Sequence, residues 1–178
     1  MGQYWKGVLL HTDKKTITKA LHPHHFHDGL KLMEHAYINN PVVMAALQLL
    51  YDRGGSNFVW TGDYADNEEG QEQNLYGIAD NMSACGEEVY VDRGSDHYFR
   101  YCINEDKKEY LDIDEAKKSD GFIHPLILLC AEGNGRGGGD YDGTSYEKVG
   151  SWARDFIRVS DEAPGEDYRQ KIVNFEEY

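Results

Sequence analysis

The sequence predicts an α+β fold in which an antiparallel sheet is built from two pseudo-repeated hairpin-helix-strand (ββαβ-like) units, with a helix packed on one face. Three observations predict this class. Pairs of β-rich segments occur in each half, a strongly apolar helix follows the first pair, and each half ends in a strand that runs into acidic residues. The 178 residues are enough for a single domain that buries about 70% of its unfolded surface.

Segments rich in β-branched and aromatic side chains, separated by polar turns, indicate the strands. Six strands are predicted, over residues 3–10, 16–18, 57–61, 98–103, 109–113 and 155–159. Polar turns at 12–15 and 104–108 join the first and fourth of these strands to their successors, which predicts two hairpins. A loop is expected at His22, because Pro23 disfavours helical geometry in the residue before it.

The strongest helix signal begins at Asn40-Pro41, where asparagine is a good cap and proline suits the first helical position. Apolar residues follow at helical spacing and Gly54-Gly55 ends the run, so a helix over 41–52 is expected to cover one face of the sheet. Asp28 is the expected cap of a short helix. The two shorter predicted helices span residues 29–35 and 75–82.

The two halves of the chain resemble each other in the order of their features. The matched segments are Tyr4-Trp5-Lys6 with Tyr98-Phe99-Arg100, His22-Pro23 with His124-Pro125, and residues 57–65 with 155–163. A duplication predicts two repeats within one domain spanning 1–178, at residues 1–73 and 95–168, linked by 74–94. The alternative is that common turns and glycine stops follow one another in this order by chance.

Composition excludes several classes of protein. There are 32 acidic against 18 basic side chains, a net charge of −14, which argues against a protein that binds duplex DNA directly. No run of about 18 apolar residues predicts a membrane span, and the first residues do not resemble a signal peptide. Three cysteines without a CxxC spacing favour reduced thiols, so we expect a cytoplasmic protein.

Much of the acidic charge follows the last predicted strand of each half. The candidate partner-binding residues are Asp63, Asp66, Glu68, Glu69, Asp161, Glu162, Glu166 and Asp167. Carboxylates grouped in this way attract a basic partner, and paired acids also serve in acid–base chemistry or hold a cation. The alternative is an ordinary solvated surface.

Five of the eight histidines lie between residues 22 and 35. Imidazole is a common metal ligand. His24, His27 and the more distant Asp63 are therefore candidate ligands of a divalent metal such as zinc. No HExxH or CxxC spacing is present. The alternative is that His22-Pro23 is turn structure with its imidazole bonded to the backbone, and that the other rings are partly exposed.

A glycine-rich loop between residues 133 and 140 is a candidate anion site. Backbone amides at Gly135, Gly137 and Gly138 would line a nest beside Arg136. The loop lacks the Gly-Lys-Ser/Thr of a Walker A motif, and the acidic residues that follow it would repel a phosphate, which favours the alternative of an ordered connection.

Several short motifs are similar to those of a group of small uncharacterised bacterial and phage proteins. They are Met1-Gly2-Gln3-Tyr4, Leu21-His22-Pro23-His24, Asp28-Gly29-Leu30-Lys31-Leu32, Gly62-Asp63-Tyr64-Ala65-Asp66, the loop 133–140 and Gly150-Ser151-Trp152-Ala153. The resemblance covers about half of the chain, and in the group the motifs occur in a single shorter unit. It implies a structural module and assigns no catalytic residue.

These observations predict a non-catalytic, acidic interaction protein without a cofactor. Its concrete form is a phage or mobile-element inhibitor, anti-CRISPR-like, that binds a basic nucleic-acid-binding host protein. No GxSxG motif or other catalytic signature is present. The alternative function is a metal-dependent enzyme that uses the loop from His22 to His27 with nearby carboxylates.

Overall fold

Strands from both halves of the chain join in one sheet in the computed structural model, which describes residues 2–81, 99–117, 122–133 and 140–176. The strands are β1 (Trp5–Leu10), β2 (Ile17–Leu21), β3 (Ser56–Gly62), β4 (Tyr101–Asn104), β5 (Glu109–Asp112), β6 (Ala131–Glu132), β7 (Phe156–Ser160) and β8 (Arg169–Gln170). Their order is β2-β1-β3-β7-β4-β5-β8, and β6 pairs with β3. The pairs β3–β6 and β5–β8 are parallel and the others antiparallel, which confirms the predicted α+β class.

The two hairpin-helix-strand units meet at the centre of the sheet. β1 pairs with β2 and β3 in the first unit, and β4 pairs with β5 and β7 in the second, while β3 and β7 lie side by side. The proposed repeats at 1–73 and 95–168 stay a prediction. Part of the predicted linker, Leu75–Asp80, is a helix that contacts the first unit, and residues 82–98 lie outside the described part.

The helices are short apart from the one that the sequence indicated most strongly. They are α1 (Leu32–His35), α2 (Pro41–Asp52), α3 (Leu75–Asp80), α4 (Ile113–Lys117) and α5 (Pro125–Leu129). α2 ends where Gly54 and Gly55 adopt φ values of 67° and 108°, which glycine accommodates without strain. In the described part of the chain, no helix has both the length and the apolar composition needed to cross a membrane.

Side chains alternate between the two faces of the sheet, and each face is covered by helices. On one face, Trp5 and Leu9 of β1 join Phe58 and Trp60 of β3 in a large core with α2 and α5. On the other face, a smaller core covered by α3 contains Val8, Leu10, Ala20, Val59, Leu75 and Ala79. As expected, α2 covers one face of the sheet, and α3 covers the opposite face as well.

Two local expectations in the first half are wrong. Asp28 does not cap the helix that follows it: its carboxylate accepts hydrogen bonds from the Val42 amide at 2.9 Å and from the Asn40 side chain at 3.2 Å, so it caps α2. α1 begins only after Lys31, whose amide bonds to the Glu34 carboxylate at 3.0 Å. The predicted loop after His22 contains a 3₁₀ helix, Pro23–Phe26, because proline suits its first turn.

Candidate functional site

The two acidic stretches, residues 63–69 and 161–167, follow strands that run in opposite directions. β3 and β7 run antiparallel and pair at Ser56↔Ile157. Gly62 lies six residues past this pair, and Ser160 lies three residues past it in the other direction. At about 3.3 Å per residue, the ends of these two strands are roughly 30 Å apart. The first stretch then turns back along the sheet, because Glu69 reaches Lys15 in the turn between β1 and β2.

Three of the four acids in the first stretch have partners among the described residues: Asp63, Glu68 and Glu69, which pairs with Lys15 at 3.2 Å. Asp63 continues the pairing of β1 with β3. Its carboxylate accepts a hydrogen bond from the Tyr4 amide at 3.0 Å, and its own amide donates one to the Tyr4 carbonyl at 2.9 Å. Glu68 is only 7% exposed, and both of its oxygens bind the Arg154 guanidinium, at 2.5 and 3.0 Å. Asp66 and Glu69 are exposed and lie at the rim of this loop.

Arg154 lies between two carboxylates from distant parts of the chain. Besides Glu68, it binds Glu132 of β6 through Nε at 2.7 Å and Nη2 at 2.5 Å, and it donates to the Lys14 carbonyl at 3.2 Å. The hydrogen bonds to Glu132 and then to Glu68 raise the pKa of Arg154, so it stays charged. The acidic loop is thereby fixed to β6 and to the start of β7.

The same residues line an open depression of about 420 Å³. Its charged lining residues are Lys15, Asp66, Glu68, Glu69, Glu132 and Arg154. Four carboxylates thus face two cations, which leaves a net charge of −2. The rim pair of Lys15 with Glu69, at 3.2 Å, is exposed, and such pairs contribute little free energy because water and salt screen them.

A second cavity, of about 300 Å³, adjoins the depression and shares Gly133 with it. Its lining combines aromatic rings with carboxylates, from Trp5, Tyr141, Tyr146, Asp140 and Glu147. The Trp5 indole donates to Asp140 at 2.9 Å, which holds the aromatic wall beside the acid. Tyr146 and Glu147 are exposed at the mouth. Acid and aromatic surface therefore lie together at the end of β6, as recognition of a basic side chain requires.

The acids of the second stretch lie in a loop between β7 and β8. Asp161, Glu162, Glu166 and Asp167 are all exposed. The amide of Glu162 bonds to the Ser160 hydroxyl at 2.9 Å, which tightens the start of the loop.

The structure does not assemble the proposed metal ligands. Among the described residues, no group of three or more His, Cys, Asp or Glu side chains is arranged to hold a metal ion, so His24, His27 and Asp63 form no such group. His27 is exposed and ends the 3₁₀ helix with φ of 61°. The metal-dependent enzyme stays a prediction. The residues Gly135, Arg136, Gly137 and Gly138 of the proposed anion nest lie outside the described part.

The histidines are grouped differently from the expectation. The rings of His22, His24 and His25 lie together, with centroids 4.0 to 5.6 Å apart. Burial, followed by the nearby Lys6 ammonium, lowers the pKa of His22 to about 4. His35 lies elsewhere in the core, where its Nε2 accepts the Trp60 indole at 2.9 Å. Sequence reasoning missed Lys6, although an inward-facing lysine in an apolar strand was a usable signal.

Comparisons with protein-family models, with curated proteins and with solved structures gave no match to this chain.

Proposed function

We propose that this protein is a non-catalytic, acidic interaction protein whose partner presents clustered arginine and lysine side chains. The observation that carries the proposal is the pair of cavities joined at Gly133, one lined by carboxylates and the other by aromatic rings and acids. We call this combined area the acidic-aromatic surface. Aromatic residues are enriched at protein interfaces, and carboxylates beside them complement a basic side chain.

The chain itself offers an example of the chemistry proposed for the partner. The Arg154 guanidinium lies in the depression with bonds to Glu68 and Glu132, so the loop already holds one arginine between two carboxylates. Asp66 and Glu69 remain at the rim, where a partner's arginine or lysine would meet them. The net charge of −14 would steer such a partner and speed association at low salt.

In its more specific form, the partner is a basic nucleic-acid-binding protein of a host cell. A carboxylate-rich surface competes with phosphates for the same lysines and arginines, so binding would occlude the nucleic-acid site. An inhibitor carried by a phage or mobile element, anti-CRISPR-like and acting in the cytoplasm, would work in this way. The small size of the chain, its net charge of −14 and the lack of a catalytic motif in the sequence support this form.

The experiment compares matched variants in the two acidic stretches. Asp66→Asn combined with Glu69→Gln removes two charges at the acidic-aromatic surface, and Glu166→Gln combined with Asp167→Asn removes the same two charge types in the second stretch. The full chain is immobilised, bacterial lysate is passed over it at low and at high salt, and retained proteins are identified. Binding of the purified partner to each variant is then measured.

We expect basic proteins to be retained at low salt, released by high salt, and lost from the first variant only. A Tyr146→Leu variant should weaken binding as well, since it removes the ring from the cavity mouth. Retention of no basic protein at low salt would contradict the proposed function. Equal loss from both charge variants would contradict the location of the surface.

A further inference from the structure

A row of polar side chains crosses the face of the sheet that α3 covers. Lys6 of β1 lies opposite Thr61 of β3. On the other side of β1, Gly7 pairs with Leu21, which places His22 next to Lys6 by the same register. Side chains at directly opposed positions have Cβ atoms about 5 Å apart, so these three groups from adjacent strands are neighbours.

Two members of the row are buried and lack hydrogen-bond partners. The side chains of His22 and Thr61 are 5% and 0% exposed, and His22 Nε2 and Thr61 Oγ1 have no partner among the described residues. Nδ1 of His25 is also buried without a hydrogen-bond partner among the described residues, and the His25 ring centre lies 5.3 Å from that of His22. Buried polar atoms are nearly always bonded, so an unbonded group of this kind marks a place where a water molecule or a ligand binds.

Lys6 supplies the positive charge of the row. Its side chain is 3% exposed, and its ammonium lies 3.7 Å from the centre of the Tyr76 ring and forms an ion pair with Asp80. Asp80 is the last residue of α3 and its side chain is 58% exposed, so its carboxylate can turn into solvent without opening the core. Asp80 behaves as an internal anion that neutralises Lys6.

The Asp80 carboxylate binds Lys6 but leaves the His22 and Thr61 atoms without bonds. A carboxylate has two oxygens, whereas a phosphate has enough oxygens to accept from an ammonium, a hydroxyl and an imidazole at once. Because the pKa of His22 is lowered to about 4, its ring is neutral at pH 7 and would donate one hydrogen bond, in the tautomer that carries hydrogen on Nε2.

We propose that Lys6, His22 and Thr61 form a binding site for a phosphate group, which displaces the Asp80 carboxylate from Lys6. The site uses none of the residues of the acidic-aromatic surface and is independent of the proposed function. Besides Asp80, the Asp63 carboxylate acts on Lys6, and it is held by the Tyr4 amide at 3.0 Å. Exposed charges farther away than about 8 Å are largely screened at physiological salt.

The test uses the full chain and inorganic phosphate. Phosphate is titrated at constant pH and ionic strength against a chloride control, and binding is followed by the thermal midpoint and by the NMR signals of the His22 imidazole. We expect saturable stabilisation and a shift of the His22 signals with phosphate only. A parallel titration with a nucleoside monophosphate shows whether a phosphate ester binds more tightly than the free ion, and either ligand supports the site.

Three variants locate the binding. Thr61→Val removes a hydroxyl that has no partner among the described residues, so the fold should be unaffected, while phosphate affinity should fall by roughly tenfold or more, the value of one hydrogen bond to a charged group. Asp80→Asn removes the internal competitor and should raise affinity roughly tenfold. Thr12→Val makes the same chemical change at an exposed turn and should change nothing.

Absence of a saturable response to either phosphate compound would overturn the proposal. Equal binding by the wild type and Thr61→Val would overturn it too, since the phosphate would then be bound elsewhere. Thr61→Val keeps the test decisive even if Asp80→Asn, which leaves a buried lysine without its carboxylate, fails to fold.

Discussion

Three buried histidines should make the fold sensitive to mild acid. His22, His35 and His124 are 5%, 0% and 1% exposed. Burial lowers the pKa of His22 and His35 to about 4 and that of His124 to about 3, with smaller effects of Lys6 on His22 and Lys117 on His124. In the unfolded chain the ordinary value is 6.5. The folded state therefore keeps these rings neutral at pH values where the unfolded chain takes up protons.

The sign and the size of the effect follow from this difference. Stability is fully present above about pH 6.5 and is lost as the pH falls towards 4, because the unfolded state binds more protons in that interval. At pH 5, each of these histidines would be about 97% protonated when unfolded and about 10% or less when folded, which costs about 2 kcal/mol. The three together remove about 6 kcal/mol, comparable with the total stability of many domains.

Carboxylates whose pKa is lowered do not obscure this interval, and Asp28, whose pKa is raised by burial, changes stability in the opposite direction. Burial alone would raise the pKa of Glu109, but hydrogen bonds from Trp152 and Arg169 and the charge of Lys171 lower it below its ordinary 4.5. A group of this kind loses its stabilising contribution only as the pH falls below about 4.5. A loss of stability between pH 6.5 and 5 therefore reports on the histidines.

The assay is urea unfolding, followed by tryptophan fluorescence and circular dichroism, at pH values from about 7.5 down to about 5. His124→Leu is the informative variant, because neither ring nitrogen of His124 has a hydrogen-bond partner among the described residues and its side chain does not cap α5. It should match the wild type within about 1 kcal/mol at neutral pH and exceed it by about 2 kcal/mol at pH 5. His11→Leu, at an exposed turn, is the control and should keep the wild-type pH dependence. Stability that is flat between pH 7.5 and 5, or an unchanged slope in His124→Leu, would refute the reasoning.

Three further predictions concern single contacts. Arg154→Leu leaves a buried carboxylate without its cation and should destabilise the fold by about 3 to 5 kcal/mol, measured by urea unfolding. Asp28→Ala removes the cap of α2 and should cost about 1 kcal/mol, which thermal unfolding would show. In a Cys85→Ser background, Cys102 and Cys130 should resist a thiol reagent until the chain is unfolded, because both are buried and burial raises their pKa. Rapid labelling of the native protein would contradict that burial.

The elements that sequence predicted well depend on neighbouring residues. The α2 boundaries follow from Asn40-Pro41 and Gly54-Gly55, and the hairpin of β4 and β5 follows from alternating strands around a polar turn. Asp28 shows where such reasoning ends. It looks like the cap of the next helix, but the fold brings it to α2 instead, where the Val42 amide lies 2.9 Å away.

The candidate site was only partly visible in the sequence for the same reason. Composition and strand ends singled out Asp66 and Glu69 correctly as exposed acids. Composition and strand ends could not show that Glu68 forms an ion pair with Arg154. The two residues are 86 positions apart in the chain, and their contact depends on how β3, β6 and β7 meet. The aromatic cavity that adjoins them is built from equally distant segments.

The sequence by itself determined the class of the fold, the main helix, the hairpins and the net charge of −14. These depend on local spacing, on capping residues and on a count of charges, all of which act within a few residues or over the whole chain. Only the tertiary structure decided that Glu68 binds Arg154, and that Lys6, His22 and Thr61 form one row. The physical reason is that strand order and register are set by burial of long-range pairs, and these pairs decide which charges meet a partner and which remain exposed.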